Sequence, residues 1–400
     1  MPVTSRAAAA GRGALWGGAI LAFAMAGYLW VRFGSANLIR VESDAMPMHV
    51  DFETFQRSAA AFWHHQNLYV TGALVPNLDP PLSTVLYAPF GLIPMLPGYR
   101  LFALLTMVLM LGCYALIARE LHIRPAVAGL ALCAMFASSP LLSTIALGQV
   151  YGLLLTGLVG CWFADRRGRP VLAGVLLGLV VALKPTLAPL LLWPMARRDR
   201  RMSLAGIAGA AGGTVIGFLV PGPSQTWQWL QLMTETTISS GGDNASLPAL
   251  LLRLGGPAWI GFLLGAAAIG LTLWRVWRGA DRELAQWAMV AATLLMSPVA
   301  WHNYLVLAFP GVLVLLGRGR LALGTLMLAS PLIGVEWAWL FFGDGLRARI
   351  GHSLYCAILL GYWLGCWLTQ RPARAEMPSV PEFLTERESP VPAGISSSPD

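Results

Sequence analysis

From residue 99 to residue 369 the chain is a succession of apolar runs separated by short loops, and in alternate loops the charge is almost all arginine. Such runs have to be buried, and 56% apolar with 12% charged residues over 400 positions is too apolar for a soluble globule. Lipid leaves the backbone only its own chain to hydrogen-bond to, so the runs predict helices and the chain reads as all-α. Apolar stretches near 14–31, 99–118, 125–139, 171–183, 186–196, 204–220, 257–274, 284–300, 304–317, 321–342 and 350–369, with one more ending at Arg166, predict a polytopic transmembrane bundle of about 10–12 membrane segments. Nineteen of the 27 basic residues, all arginine, fall in the loops and ends that this partition puts on one side. The positive-inside rule makes that side the cytoplasm. Both termini then lie inside a multi-pass protein of the plasma (inner) membrane, and residues 32–98 and 221–256 face outward. The net charge of +8 is loop charge, so it implies no nucleic-acid partner. Residues 1–370 read as one integral membrane domain, and 371–400, rich in Pro, Ser and Glu, as a disordered cytoplasmic tail. Ala24-Met25-Ala26 looks like a signal cleavage site, but the long apolar run and the many later ones favour a retained anchor. The five cysteines lie inside apolar runs and read as reduced packing residues.

The external segment 32–98 opens with His49-Val50-Asp51-Phe52-Glu53-Thr54-Phe55. Phe52, Phe55, Phe62 and Trp63 recur on one face at 3.6 residues per turn, with Glu53, Gln56, Arg57 and His64 largely opposite. This predicts an amphipathic interfacial helix over 51–65. Asp51 stands at its start, where a carboxylate either caps the helix or is available for chemistry. Residues 82–96 are apolar but broken by Pro89 and Pro94, which predicts an interfacial or re-entrant piece.

The partition places the unusual polar residues at one surface: Asp51, Asp79, Gln149, Lys184, Asp243, Asn244, Trp301-His302-Asn303 and Asp344. Lys184 is the only lysine in the chain and precedes a proline between two apolar runs. It is either a helix-end lysine reaching for water or the partner of a phosphate or carboxylate. His302 beside Trp301 is either an interface anchor or a ligand-facing group. Gly241-Gly242-Asp243-Asn244 reads as a turn, and Asn244-Ala245-Ser246 also fits a glycosylation acceptor. The sequence carries no glycine-rich nucleotide loop, no Asp-x-Asp pair and no His-Glu-x-x-His helix. A lipid-borne donor suits this chain better than a soluble nucleotide sugar.

Six motifs then follow in order: Asp51-Phe52-x-x-Phe55, Asn67-Leu68-Tyr69, Pro80-Pro81-Leu82 with Pro89 and Pro94, Gly148-Gln149-Val150, Ala182-Leu183-Lys184-Pro185, and Ser297-Pro298-x-x-Trp301-His302. Over about residues 45–320 the chain resembles the family-87 glycosyltransferases. These are membrane enzymes of the GT-C type that include polyprenol-phosphate-mannose-dependent α-1,2-mannosyltransferases. Asp79 is a departure, standing where the family often has an aromatic. The resemblance implies a hexose, mannose first, moved from a polyprenyl-phosphate sugar to a hydroxyl of a glycan or glycolipid acceptor at the outer face. It implies Asp51 as general base with inversion at the anomeric carbon. Lys184 and His302 would stabilise the phosphate. Read from the residues themselves, Gln149, Trp301, Glu53, Asp79 and Asn244 are the expected substrate contacts. Neither a cofactor nor a metal is implied. Two other functions use the same polar face: a lipid-linked sugar transporter or flippase, and an O-antigen-type polymerase or ligase. A transporter needs its polar residues at mid-membrane, whereas here they gather at one surface.

Overall fold

The computed structural model describes residues 3–33, 49–343 and 345–370, which leaves Asp344 and the 371–400 tail outside the described residues. Helices make up the fold, and no strand occurs among the described residues. The first helix, α1 (Val3–Phe33), runs unbroken through Ala24-Met25-Ala26. The external segment holds α2 (Val50–Trp63) and α3 (Pro81–Tyr87), the latter continued by a 3-10 turn over Ala88–Leu92. Then α4 (Met95–Glu120) leads to α5 (Pro125–Phe136) and α6 (Ser139–Leu147), which are bent by 53° at their junction. Next come α7 (Tyr151–Arg166) and α8 (Pro170–Leu183). Pro185 and Pro189 hold Pro185–Leu191 in a 3-10 turn before the short α9 (Leu192–Ala196).

The second half begins with α10 (Arg200–Leu219), α11 (Pro223–Glu235), α12 (Leu247–Arg253) and α13 (Ala258–Trp277). It continues with α14 (Arg282–Met296), a 3-10 turn over His302–Ala308, α15 (Phe309–Gly317) and α16 (Leu321–Ala329). Finally α17 (Leu346–Gly351) and α18 (Leu354–Thr369) close the described chain.

Among the described residues, α1, α4, α10 and α13 are long and apolar enough to cross a membrane, and the bent α5–α6 pair makes a fifth candidate. The sequence reading of 10–12 segments counted the remaining apolar runs as further crossings. Those helices are shorter, and Pro185, Pro189, Pro298 and Pro331 break several of the runs. At 1.5 Å per residue a helix of 16 residues such as α18 spans about 24 Å, short of a hydrocarbon core of about 30 Å. Helix α14 and the first part of its successor, α15, are almost wholly buried and form the centre of the bundle.

Two local features set the geometry of the functional end. Helices α8 and α10 touch through glycine: a Cβ on Gly178 would lie 2.5 Å from the Ala210 amide nitrogen, and one on Gly174 would lie 2.8 Å from Ala205 Cβ. Small residues four apart let the two backbones meet, which sets how α8 lies against α10. Helix α2 buries Phe52 among Tyr87, Phe90, Tyr99 and Phe102, with ring centroids 5.4–6.4 Å apart. Its aromatic face therefore rests on protein. Phe62 is half-buried, and the exposed Trp63 donates its indole N–H to Ala88 O at 2.6 Å. The helix ends at Trp63, two residues short of the expected 65.

At the opposite end of α4, α7 and α14, arginines meet carboxylates. Arg167 bonds Glu120 at 3.0 Å, and Arg197 bonds Asp165 at 2.9 Å. Arg318 bonds both Asp281 and Glu283. Four of the cysteines are buried, Cys133 is exposed, and all five are free.

Candidate functional site

A cavity of about 480 Å³ opens at the end of the bundle away from the arginine clusters. Among the described residues its charged lining is Asp51, Asp79 and Lys184. Gln149, Trp301 and Tyr304 also line it, and Trp229 and Met233 of α11 lie over it.

Asp51 is the second residue of α2 and not its cap. The capping position belongs to His49, which takes a left-handed conformation (φ 70°) and makes no side-chain cap bond. The His49 amide instead bonds Ala146 O at 2.7 Å, and its ring stands edge-on to Tyr99. Of the two roles open to Asp51, capping falls away, because the chain enters the helix two residues earlier through the α6 end. The Asp51 carboxylate is left in the first turn, where the helix dipole favours an anion, and Oδ2 accepts a hydrogen bond from Gln149 Nε2.

Gln149 reaches Asp51 because Gly148 ends α6 at φ 73° with its α-carbon pressed on Phe52; a Cβ there would lie 2.5 Å from Phe52 Cβ. Only glycine meets both demands. Burial pushes the Asp51 carboxyl up to about 6, helped by the Asp79 charge; the Gln149 hydrogen bond and Lys184 act in the opposite direction. A carboxylate poised near neutrality is suited to accept a proton.

Lys184 stands where α8 stops, ahead of Pro185. Its ammonium lies 2.7 Å from Asp79 Oδ1 and 5.4 Å from the centre of the Tyr304 ring. The side chain is only 15% exposed, so it is directed into the protein and not out along the helix end towards water. Asp79 is held by its own loop: its amide bonds Asn77 Oδ1 at 3.0 Å, and Asn77 Nδ2 bonds Ser58 Oγ of α2 at 3.0 Å. Asp79 Oδ2 is buried without a hydrogen-bond partner.

The other sequence candidates fall in different places. Trp301 lines the cavity, and Asn244 forms an isolated antiparallel bridge with it. Asn244 itself is fully buried outside the lining. Its Oδ1 accepts from Ala300 N (3.0 Å) and Ser246 N (3.2 Å), and its Nδ2 donates to Ser239 O (2.9 Å). It ties two loops together, and burial removes it as a glycosylation acceptor. His302 is buried just behind the lining with its ring 5.0 Å from that of Tyr355 and neither ring nitrogen bonded. Glu53 turns away from the cavity to pair with Arg57 one helical turn on, at 2.7 Å.

Three aromatic lining residues escaped the sequence reading. Tyr151 and Tyr304 meet at 4.5 Å between ring centroids. They lie two positions after Gln149 and His302, inside runs that read only as span. Trp229 sits on α11, within a loop read without a helix, although its Trp227-Gln228-Trp229 run was a signal. Its indole N–H donates to Leu78 O at 3.1 Å.

Comparison with known proteins adds a second kind of observation. Residues 77–298 match the profile of glycosyltransferase family 87. The chain is 30% identical over 328 residues to a polyprenol-phosphate-mannose-dependent alpha-(1-2)-phosphatidylinositol mannoside mannosyltransferase of Mycobacterium tuberculosis, covering 73% of this chain and 76% of the relative. A protein of the same description from Mycolicibacterium smegmatis is 26% identical over 356 residues, 78% of this chain and 79% of that one. An alpha-(1->3)-arabinofuranosyltransferase of Mycobacterium tuberculosis is 31% identical over 201 residues, 49% and 44% of the two chains. No solved structure matches the chain.

Proposed function

This chain belongs to glycosyltransferase family 87, and from that premise we propose that it moves a hexose, mannose first, from a polyprenyl-phosphate donor to a hydroxyl of a glycan or glycolipid acceptor. It is a membrane glycosyltransferase; the donor, the acceptor and the residue roles are our reading. The observation that carries the reading is that Asp51 and Lys184, on separate elements, face one cavity. A hydroxyl becomes a nucleophile when a base removes its proton, and Asp51 is the carboxylate poised to do so. As the sugar leaves, negative charge grows on the donor phosphate, and the Lys184 ammonium stands in the same cavity to stabilise it. One base and a direct displacement give inversion at the anomeric carbon. His302, Trp301 and Gln149 act around this pair: Gln149 orients Asp51, Trp301 walls the sugar, and His302 backs the wall.

The reading is tested by offering membrane-reconstituted protein a panel of polyprenyl-phosphate sugars and following release of polyprenyl phosphate. Release with polyprenyl-phosphate mannose in the presence of a glycolipid acceptor is the expected result. Preference for the arabinofuranose donor would redirect the assignment to the second group of relatives. Movement of intact donor across the bilayer without release would favour the transporter.

From the arginine bias we further propose that the cavity faces outward from the plasma (inner) membrane, with both termini inside. Ser224→Cys on α11, in a cysteine-free background, should react with a membrane-impermeant maleimide added outside intact cells. Reaction only after permeabilisation would invert this orientation.

A further inference from the structure

The cavity poses an electrostatic problem for the proposed donor. Among the described residues its charged lining comprises two carboxylates and one ammonium, so an anionic phosphate enters a lining that is already net negative. The one ammonium is also already engaged, 2.7 Å from Asp79 Oδ1, with the two side chains 15% and 4% exposed. In so dry a setting the pair is strong, and a phosphate reaches Lys184 only by competing with Asp79.

We propose that Asp79 is a resident counter-ion of the phosphate seat: it holds Lys184 when the cavity is empty, yields it to the donor phosphate, and reclaims it to expel the spent polyprenyl phosphate. This rests on the donor reading above. Three observations support it. Asp79 Oδ2 is buried with no partner, whereas a carboxylate serving only to brace the fold would have both oxygens satisfied. Asp79 is anchored through Asn77 to Ser58 and is followed by Pro80 and Pro81, so it keeps its place when the lysine leaves. Lys184 has a flexible four-carbon stem and a second face to rest on, the Tyr304 ring at 5.4 Å.

The chemistry supplies the reason for such a device. Transfer breaks the bond between the anomeric carbon and the phosphate oxygen, whose electron pair stays on the phosphate. The acceptor oxygen bonds the anomeric carbon, and its proton passes to Asp51. The donor phosphodiester carries one negative charge and the released monoester up to two. A lone ammonium would therefore hold the product more tightly than the donor. A competing carboxylate offsets this by taking the ammonium back.

The test uses the full chain in lipid nanodiscs, with farnesyl phosphate as the product probe. Asp79→Asn should bind farnesyl phosphate about 10-fold tighter or more, in line with the strength of a charge-assisted hydrogen bond, and its kcat should fall while the donor KM falls with it. Asp79→Glu, which keeps the charge, should stay near the wild-type affinity for the probe. Because Lys184 is the sole lysine, protein labelled with 13C at lysine Cε gives one resonance for it, and in the wild type that resonance should move as the probe saturates. Unchanged or weaker probe binding by Asp79→Asn overturns the proposal. So does a wild-type lysine resonance that stays still with the probe bound, a measurement that needs no variant. If the wild type neither binds farnesyl phosphate nor uses any polyprenyl-phosphate sugar, the donor reading fails and takes this inference with it. A bound probe with an unmoved lysine removes this inference alone.

Discussion

Asp51→Asn is expected to lower sugar transfer by roughly 10²–10⁴-fold, the usual contribution of a positioned base, with the fold intact. The amide oxygen of Asn can still accept the Gln149 hydrogen bond, and the cap of α2 is His49, so neither contact is lost. The stability consequence has a definite sign. Burial raises the Asp51 carboxyl to about 6, above its unfolded value of 3.8, so the protonated form is the one the fold favours. That contribution is complete below the unfolded value and is lost as pH rises through about 6. At pH 7 the ionised carboxylate is a net burden on the fold, and Asp51→Asn should melt no lower than the wild type. Activity runs the opposite way, since the base must be ionised, and wild-type kcat/KM should fall as pH drops through about 6. Asp51→Glu should also lose most activity, because its longer arm displaces the carboxylate by about an ångström from the hydroxyl it must meet. Transfer assays and melting curves on purified Asp51→Asn decide the matter, and a stable, fully active variant would remove Asp51 from the chemistry.

Lys184→Met is expected to cost a further large factor, of about 10²–10³ in kcat if the ammonium stabilises charge that develops only as the sugar leaves. Here activity and folding must be separated. Removing Lys184 strands the Asp79 carboxylate, which is 4% exposed, and an unpaired buried charge destabilises by about 3–5 kcal/mol. The double variant Lys184→Met/Asp79→Asn removes both charges and should recover most of the melting temperature without recovering transfer. Lys184→Arg keeps the charge with a different shape, so partial activity is expected. If the double variant is both stable and as active as the wild type, Lys184 serves the fold only.

Much of this was legible along the chain because hydrophobicity and charge act residue by residue. The apolar runs and the arginine-rich loops need no knowledge of packing, and they carry the all-α membrane class. The positions of Asp51, Gln149, Lys184 and Trp301 in a set of ordered motifs marked them before any geometry was known. Their partners could not be read the same way. Asp51 meets Gln149 across 98 positions, and Lys184 meets Asp79 across 105. Those meetings depend on Gly148 turning left-handed against Phe52, and on α8 and α10 touching through glycines. Both are matters of long-range fit, to which a local pattern is blind. The same limit left the two roles of Asp51 open along the chain, since the entry into α2 is set by a backbone bond from His49 to Ala146. It explains Glu53 and Asn244 as well: polarity put them near the surface, but only the packing of α2 and of the Ala300 loop turned the first to Arg57 and buried the second as a tie. Helix length belongs with these, because a proline marks where an apolar run breaks but not whether the pieces on either side form one crossing or two.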